Sequence, residues 1–292
     1  MVISSQALYR RVYQALLPTI QEPQECQAIT YELLRHYFQL DPAHLVMGIF
    51  VSLSLPPKKL LDAVIARIKK QEPLQYILGK AHFLGRDFCV NPSVLIPRPE
   101  TEELVQRIIE VHKEPGLRVL DLGTGSGCIA ITLQQELYRA IVHALDIDPE
   151  ALRTAQINAQ RLGAALHWMQ ADMLKESLPD QCWDIIVSNP PYVRWSERTQ
   201  MHARVVAYEP SKALFVPDQD PLLFHERIVS LASNHLDVGG KLYLEINEAL
   251  GQEAATLLSH AGFQEVTVMQ DLHGKDRWVE GIFLRRAHTP TS

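Results

Sequence analysis

Apolar side chains recur at intervals of three and four positions through the first seventy residues, for example at Tyr31, Leu34, Tyr37 and Phe38 and again at Leu61, Val64, Ile65 and Ile68. This spacing places the apolar residues on one face of a helix, where they can pack against neighbouring helices. Prolines at positions 23, 42, 56 and 57 divide the pattern into separate segments. We therefore predict a small helical domain over residues 1–72.

Residues 73–115 follow a different pattern, in which short β-prone runs flank a turn at Gly85-Arg86-Asp87. A glycine and an aspartate between two such runs are typical of a β-hairpin. Prolines at positions 92, 97 and 99 then keep the chain out of regular structure. We predict a hairpin followed by a structured linker in this stretch.

From Arg118 onward, strand-like and helix-like segments alternate, with 149–162 as one clear helical segment. This alternation is typical of a doubly wound α/β domain with a mostly parallel sheet, which we assign to residues 116–292. The last two predicted strands follow one another closely, so we expect an antiparallel excursion at one edge of the sheet. The predicted strands are 118–122, 141–146, 166–171, 183–188, 241–246, 265–269 and 279–284.

The composition of the chain limits the kinds of partner and the cellular compartment that we expect for the protein. The net charge of −6 argues against stable binding of nucleic acid, although residues 1–80 are mildly basic, with nine Lys or Arg against six Asp or Glu. The four cysteines are scattered without a CxxC pair, so we expect neither a disulfide framework nor a metal site. No basic leader precedes an apolar core and no run of about 18 apolar residues exists, so we expect a cytoplasmic protein without a membrane span.

A glycine-rich loop follows the first predicted strand of the α/β domain. The segment VLDLGTGSGCIAI spans residues 119–131, and its loop residues are Gly123, Thr124, Gly125, Ser126 and Gly127. Glycines at such a turn let the backbone bend tightly and approach a ligand. The loop is not the dinucleotide fingerprint, because Cys128 occupies the last small-residue position, and it is not a P-loop, because no Lys-Ser or Lys-Thr pair follows.

Three acidic residues are predicted near the carboxyl ends of strands, where α/β sheets bind ligands. Asp146 ends the second strand and can accept hydrogen bonds from both hydroxyls of a ribose. Asp172 ends the third strand and can accept a hydrogen bond from an adenine amino group. Asp121 precedes the loop, where its charge would repel phosphates and favour a cation such as the ammonium of a methionine moiety. Together these residues predict a pocket for S-adenosylmethionine.

The fourth predicted strand runs into the motif Ser188-Asn189-Pro190-Pro191-Tyr192. Neither proline can donate a ladder hydrogen bond, so the strand stops at a rigid platform that is rich in acceptors. A planar amide or adenine nitrogen is a weak nucleophile, and it is helped by acceptors for both of its N–H groups. The Asn189 side-chain oxygen and the Pro190 carbonyl can be those acceptors, while Tyr192 can form a flat wall beside the planar group.

This motif, with the loop and the acids before it, resembles the class I S-adenosylmethionine-dependent methyltransferases that act on planar nitrogens. A more specific resemblance lies upstream, where EPLQYILGKAHFLGRDFCVNPSVLIPRPETEELV, from Glu72 to Val105, is similar to the signature of the HemK/PrmC family. It continues through Asp146-Ile147-Asp148-Pro149-Glu150-Ala151, Tyr208-Glu209-Pro210 and Leu242-Tyr243-Leu244-Glu245-Ile246. The first 70 residues match that family only in length and helical character.

The resemblance implies a Rossmann-like methyltransferase sheet with an N-terminal helical domain and a β-hairpin linker. Because the helical domain is mildly basic and separate from the predicted donor site, we expect it to bind the protein substrate. It implies methyl transfer from S-adenosylmethionine to N5 of the glutamine in the Gly-Gly-Gln motif of class 1 peptide chain release factors, with S-adenosylhomocysteine as the other product. Arg98, Glu100 and Thr101 would lie beside the donor. The matching positions for the donor are Gly123 to Gly127, Asp146, Met173 and Asn189, and those for the glutamine amide are Asn189, Pro190, Pro191 and Tyr192.

The chain departs from the family pattern at two places. Met173 stands where family members often carry an aromatic residue, although its thioether can pack on adenine. Residues 216–221 replace a glycine-rich stretch. The second departure affects a local loop and leaves the predicted chemistry unchanged.

Three rival functions are compatible with the same fold. A nucleic-acid adenine methyltransferase would flip a base into the same pocket, but it should carry a basic face or a large recognition insert. A ribosomal-protein glutamine methyltransferase would share the platform but should differ around residues 96–102. A non-catalytic binding module could keep the fold, although an intact Asn-Pro-Pro-Tyr motif argues against it.

Overall fold

The computed structural model describes residues 2–52 and 55–284. Within these residues, no helix is both long enough and apolar enough to span a membrane. The chain forms two compact units. The first contains the chain up to Gly79 together with Ala203–Tyr208, and the second contains Lys80–His202 and the chain from Glu209 onward.

The first unit is helical and surrounds one apolar core. Its elements are β1 (Val2–Ser4), α1 (Ser5–Ile20), α2 (Pro23–Phe38), α3 (Pro42–Met47), β2 (Phe50–Ser52), α4 (Leu55–Lys69) and α5 (Leu74–Leu78). The Ser4 hydroxyl caps α1 by accepting a hydrogen bond from the Ala7 backbone N–H at 3.2 Å. The core is built from the apolar faces of the helices and includes Leu8, Leu16, Leu33, Leu34 and Leu61.

A short antiparallel pair of strands also lies in this unit, where the sequence predicted only helices. β1 pairs with β2, with Val2 opposite Ser52 and Ser4 opposite Phe50. Strands of three residues are too short to show the period-two alternation that distinguishes a strand from a helix. The unit is helical as predicted, and the sequence pattern did not reveal this short pair of strands.

The second unit holds the predicted hairpin and a large sheet. Its strands are β3 (Lys80–Phe83), β4 (Arg86–Cys89), β5 (Arg118–Leu122), β6 (Ile141–Asp146), β7 (His167–Gln170), β8 (Trp183–Ser188), β9 (Val193–Arg194), β10 (Phe215–Val216), β11 (Leu236–Glu245), β12 (Phe263–Gln270) and β13 (Asp276–Phe283). Its helices are α6 (Pro99–Val111), α7 (Cys128–Glu136), α8 (Pro149–Leu162), α10 (Leu223–His235) and α11 (Gly251–His260), with 3₁₀ turns at Trp195–Gln200 and Ser211–Ala213.

The seven-stranded sheet has the order β12-β13-β11-β8-β5-β6-β7. The strands from β11 to β7 are mutually parallel, whereas β13 runs antiparallel to both of its neighbours. This arrangement confirms the predicted α/β class and the antiparallel excursion at one edge. In the register of β5 with β8, Leu122 lies opposite Ser188, so the two chain segments that follow these strands start side by side.

Helices cover both faces of this sheet. Val119 and Ile185 belong to an apolar cluster with α6, α7 and α8, whereas Leu120 and Ile186 belong to a cluster with α10 and α11. Alternate side chains of a strand point to opposite faces, which explains why neighbours in β5 join different clusters. With both faces buried, the carboxyl ends of the parallel strands are the place where a ligand can reach the sheet.

Most strand bounds agree with the sequence pattern. The predicted strands 118–122, 141–146 and 183–188 coincide with β5, β6 and β8. β11 begins at Leu236, five residues before the predicted start, because a register irregularity between Leu236 and Lys241 accommodates Gly239 and Gly240. Glycines weaken a strand signal and often mark such irregularities.

A further helix, α9 (Ala203–Tyr208), belongs to the first unit although the chain on both sides of it belongs to the second. Arg204 forms an ion pair with Glu25 of α2 at 2.6 Å. The Tyr208 hydroxyl donates a hydrogen bond to the backbone carbonyl of Lys70 at 2.8 Å. These contacts explain why α9 clusters with the first unit rather than with its neighbours in sequence.

We expect Gly127→Ala to destabilise the second unit strongly. Gly127 precedes α7 with a φ of +81°, and a Cβ there would lie 2.9 Å from Cδ1 of Ile131 and 3.0 Å from Cβ of Ala155. The left-handed backbone costs an L-residue about 1–2 kcal/mol, and overpacking adds roughly 1–3 kcal/mol. Urea denaturation followed by circular dichroism measures the loss.

Gly163→Ala is the matched control. Gly163 follows the last residue of α8 with a φ of +71°, but apart from its two neighbours in the chain no atom of the described residues lies within 4 Å of the Cβ position. Its cost should therefore be limited to the backbone contribution of about 1–2 kcal/mol. Equal losses for the two variants would show that the contact between α7 and α8 accommodates the extra methyl group.

Candidate active site

A cavity of about 270 Å³ lies at the carboxyl ends of the parallel strands in the second unit. Most of the residues predicted from the sequence line it, namely Gly123, Thr124, Gly125, Ser126, Asp146, Asp172, Met173, Asn189 and Pro191. Asp121, Gly127, Pro190 and Tyr192 stand outside this lining. Asp121 is fully buried beneath the loop, and Gly127 caps α7.

The glycine loop is held against the end of β6. The backbone N–H groups of Gly123 and Thr124 both donate to the carbonyl of Leu145, at 2.8 and 2.9 Å. The N–H of Gly125 donates to Oδ2 of Asp146 at 2.9 Å. The loop therefore curls over the strand end with its backbone facing the cavity, as a ligand that approaches closely requires.

Asp146 is oriented by two backbone donors. Its Oδ2 accepts from Gly125, and its Oδ1 accepts from the N–H of Asp148 at 2.9 Å. Burial raises the pKa of the Asp146 carboxyl, and the two N–H donors act in the opposite direction. A carboxylate has about four lone-pair directions, so it keeps acceptor capacity for the two hydroxyls of a ribose.

Asp121 provides an independent sign of the ligand. Its Oδ2 accepts a hydrogen bond from the Thr124 hydroxyl at 2.7 Å, whereas its buried Oδ1 has no partner among the described residues. Burial raises the pKa of this carboxyl to about 7, and the neighbouring charge of Asp146 adds to the effect. A buried carboxylate with an unused oxygen favours a cation above it. This donor set fits the ammonium-bearing methionine end of S-adenosylmethionine.

Asp172 and Met173 form the wall beyond β7. Asp172 is paired with Lys175 at 2.9 Å, and this cation lowers the pKa of the carboxyl. The Met173 side chain is buried, and its Cε lies 3.5 Å from the position of a Cβ on Gly123. The thioether thus forms an apolar surface beside the loop, where a flat aromatic ring could pack.

The motif after β8 presents acceptors and a half-buried tyrosine. The Asn189 amide Nδ2 donates to Oγ1 of Thr101 at 3.1 Å, and the Tyr192 hydroxyl donates to Oε1 of Glu245 at 2.9 Å. Burial raises the pKa of Tyr192 well above its ordinary value, and Glu245 adds to this, so the phenol stays protonated. Among the described residues, no donor is paired with the Asn189 side-chain oxygen or the Pro190 carbonyl.

A loop contact supports this motif from behind. The Asn247 side-chain amide donates to the Tyr192 carbonyl at 3.3 Å and to Glu197 Oε2 at 3.0 Å. Glu197 in turn accepts from the backbone N–H of Arg194 at 2.8 Å. Sequence reasoning did not find Asn247, although its place just after β11 puts it at the carboxyl end of a strand.

The linker segment before α6 and the first turn of that helix also reach the cavity. Arg98 and Thr101 line it, whereas Glu100 is not among the lining residues. Arg98 pairs with the buried Glu209 at 2.6 Å, and the other oxygen of Glu209 accepts from the Ile96 N–H at 3.2 Å. Lining residues outside the motifs that the sequence indicated include Leu174, Lys212, Ala213 and Phe224. Their residue types carry no signal of a site.

We expect Asp121→Asn to change how stability depends on pH. The folded pKa of Asp121, about 7, lies above the value of about 3.9 in an unfolded chain. Stability from the protonated carboxyl is therefore complete below about pH 4 and is lost as the pH rises through 7. Asp121→Asn has no carboxyl at this position and so does not lose stability in this way. Without ligand, calorimetry should give the variant a higher melting temperature than the wild type at pH 8, and the two melting temperatures should differ less at pH 5.

With saturating S-adenosylmethionine at pH 8, the wild type should instead have the higher melting temperature, because the ionised carboxylate of Asp121 can then face the cation of the donor. The donor should bind the variant about tenfold more weakly than the wild type, a difference of roughly 1.4 kcal/mol. Asp180→Asn, which removes an exposed carboxylate, is the control and should leave both measurements unchanged. Equal donor affinity in Asp121→Asn and the wild type would exclude Asp121 as the partner of the cation.

Two family models match the chain. The PrmC N-terminal domain matches residues 12–79, and the Methyltransferase small domain matches residues 101–214. A solved structure of a methyltransferase from Pyrococcus furiosus is 17% identical and covers 75% of this chain and 98% of that one, with a TM-score of 0.51. At this identity the structural likeness concerns the fold alone.

Two sequence relatives are much more similar. The release factor glutamine methyltransferase of Bacteroides thetaiotaomicron is 44% identical over 262 residues, which cover 89% of this chain and 94% of that protein. The release factor glutamine methyltransferase of Flavobacterium psychrophilum is 42% identical over 281 residues, which cover 94% of this chain and 98% of that protein. With this identity over nearly its whole length, and with a cavity that fits a methyl donor, the chain belongs to the family of release factor glutamine methyltransferases.

Proposed function

We propose that this protein transfers a methyl group from S-adenosylmethionine to N5 of the glutamine in the Gly-Gly-Gln motif of class 1 peptide chain release factors. The observation that carries the proposal is the pair of available oxygens after β8, on Asn189 and Pro190, beside the cavity of a chain in this family. We further propose that the reaction takes place in the cytoplasm, the compartment of bacterial translation.

When bound, S-adenosylmethionine supplies a methyl group on a sulfonium, and direct displacement at that methyl group releases the neutral thioether S-adenosylhomocysteine. The chain's own contribution on this side is to hold the donor. Asp146 is oriented to accept from ribose hydroxyls, Met173 offers an apolar face to the adenine, and Asp121 provides the negative charge for the ammonium. Asp146 and Met173 line the cavity, and Asp121 is buried beneath the loop that lines it.

On the acceptor side, the chain positions a weak nucleophile. The glutamine amide has two N–H groups, and the Asn189 side-chain oxygen and the Pro190 carbonyl can accept one hydrogen bond each. As the nitrogen bonds to the methyl group and the bond from that methyl to sulfur breaks, positive charge develops on the nitrogen, and these oxygens stabilise that charge. The methylated nitrogen then releases one proton to solvent water. Neither oxygen is a base near neutral pH, so the contribution of the platform is positioning and electrostatics.

A protein substrate fits the charge of the chain better than a nucleic acid does. The net charge of −6 offers no general attraction for a polyphosphate backbone. An adenine could occupy the same platform, because it also presents a planar NH2 group. Membership in this family favours the glutamine over the base, and the assay below distinguishes them.

We expect labelled methyl groups from S-adenosylmethionine to appear on an intact release factor, and Asn189→Ala to lower kcat by 100-fold or more. This variant removes one of the two acceptors and leaves an amide N–H unpaired, and the loss of one such contact typically costs about 10²–10³ in rate. The measurement is incorporation of label under donor saturation, with donor binding to the variant checked by calorimetry.

Two other acceptors test the assignment. A release factor whose Gly-Gly-Gln glutamine is changed to alanine should take up no label, and adenine-containing DNA should take up none either. Label on the DNA, or equal label on both forms of the factor, would contradict the proposed substrate. Absence of label from the intact factor despite donor binding would contradict the proposed activity.

We also propose that the helical first unit binds the release factor. Its α3 and β2 carry three strongly exposed apolar side chains, Val46, Met47 and Phe50, which are 81%, 65% and 79% exposed. Exposed apolar groups close together in a small region are typical of a protein-binding surface. Replacing Met47 and Phe50 by serine should raise the KM for the intact factor about tenfold with kcat unchanged.

A short peptide that contains Gly-Gly-Gln separates docking from chemistry, because it lacks the rest of the release factor that would contact the helical unit. The double variant should methylate this peptide as well as the wild type does. Val238→Ser, which removes an exposed apolar side chain near the start of β11, is the control. An unchanged KM for the intact factor in the double variant would show that docking uses another surface.

A further inference from the structure

Two buried polar side chains lie directly behind the acceptor platform. Thr101 belongs to the first turn of α6 and Glu245 ends β11, and each is only 2% exposed. No ion pair to Glu245 is present among the described residues, although a buried carboxylate is costly without a cation. Its oxygens instead accept hydrogen bonds from the Thr101 hydroxyl at 2.7 Å and the Tyr192 hydroxyl at 2.9 Å.

When Glu245 is ionised, the hydrogen bonds around Thr101 have only one consistent direction. The Thr101 hydroxyl has a single hydrogen and the carboxylate can only accept, so that hydrogen points at Glu245. Burial raises the pKa of Glu245, and a protonated Glu245 would be able to donate to Thr101, so this direction belongs to the ionised state. Towards Asn189, which lies 3.1 Å away, the Thr101 oxygen can then only accept. The group of Asn189 that faces Thr101 must therefore be the NH2, and the amide oxygen must face the other way. With Glu245 ionised, the orientation of the Asn189 amide therefore follows from the hydrogen bonds and does not depend on which of two similar atoms is placed as oxygen.

We propose that Thr101 and Glu245 are positioning residues that set the polarity of the platform. Glu245 orients the Thr101 hydroxyl, Thr101 orients the Asn189 amide, and the Asn189 oxygen is thereby directed at the substrate amide. The second oxygen of Glu245 holds the Tyr192 hydroxyl, so one carboxylate fixes two of the residues that surround the acceptor. This inference rests on the proposed function, because it assigns these residues to the reaction at that platform.

The reverse orientation would oppose the reaction. If the Asn189 amide turned over, its NH2 would face the NH2 of the glutamine, and two donors would meet without an acceptor. Developing positive charge on the nitrogen would then be destabilised instead of stabilised. With Glu245 ionised, the hydrogen bonds from Glu245 through Thr101 to Asn189 exclude the reversed orientation, since it would leave two acceptors facing each other between Thr101 and Asn189.

The first test replaces the hydroxyl. Thr101→Val keeps the shape of the side chain and removes the group that accepts from Asn189, so we expect kcat for the release factor to fall about 10- to 100-fold. The Kd of S-adenosylmethionine should stay within about threefold of the wild-type value. Thr101→Ser restores the hydroxyl and should recover kcat to within about threefold of wild type.

The second test changes the direction of the hydrogen bond between residue 245 and Thr101. Glu245→Gln keeps the shape but can present an NH2 to Thr101, which would then direct its own hydrogen at Asn189. We expect kcat to fall by a similar factor. Both variants interrupt the same series of hydrogen bonds. The kcat of the double variant Thr101→Val, Glu245→Gln should therefore be no lower than that of the slower single variant. Independent structural effects would instead multiply the two reductions in kcat.

Thr132→Val is the matched control for the loss of a buried threonine hydroxyl. Thr132 lies in α7, is fully buried, and its hydroxyl has no hydrogen-bond partner among the described residues. It should retain wild-type kcat. Wild-type levels of kcat in Thr101→Val or in Glu245→Gln, or multiplication of their effects, would overturn the inference. Absence of methylation by the wild-type protein itself would instead overturn the proposed function.

Discussion

The parallel pairing of β5 with β8 is the constraint on which the whole site depends. It sets Leu122 opposite Ser188, and the Ser188 hydroxyl donates to the Leu122 carbonyl at 2.6 Å beyond the regular ladder. The glycine loop and the Asn-Pro-Pro-Tyr motif therefore leave the sheet from adjacent points. Donor and acceptor are brought together by strand register, and the long intervening chain of α7, β6, α8 and β7 is free to supply the remaining walls.

Three carboxyl groups near this junction are buried without an ion pair among the described residues. Asp121 and Asp146 lie under and beside the loop, and Glu245 lies behind the platform, and burial raises the pKa of each. Such groups lower the stability of the folded chain, and a cationic ligand offsets part of that cost. The site is therefore more polar than packing alone would favour. Its stability and its affinity for the donor are linked through the same charges.

The sequence pattern predicted the sheet well because each strand carries its own local signal. β5, β6 and β8 were predicted to the residue, and the acids and glycines near their ends line or underlie one cavity. The pattern did not reveal that Thr101, Glu245 and Asn247 support the platform. Thr101 and Glu245 are 144 positions apart, and nothing local indicates that a helix start and a strand end will share one hydrogen bond. The pair β1 and β2 was missed for the opposite reason, since three residues are too few to show a period.

The helix α9 has a consequence for how such proteins evolve. It is encoded within the second unit but folds with the first, through Arg204 on Glu25 and Tyr208 on Lys70. A recombination event that exchanged only the chain before Gly79 would leave α9 facing foreign helices. The two units are thus not independent modules of inheritance. A change in the helical unit that alters substrate recognition must be matched by changes some 180 residues later in the gene, between Glu25 and Arg204.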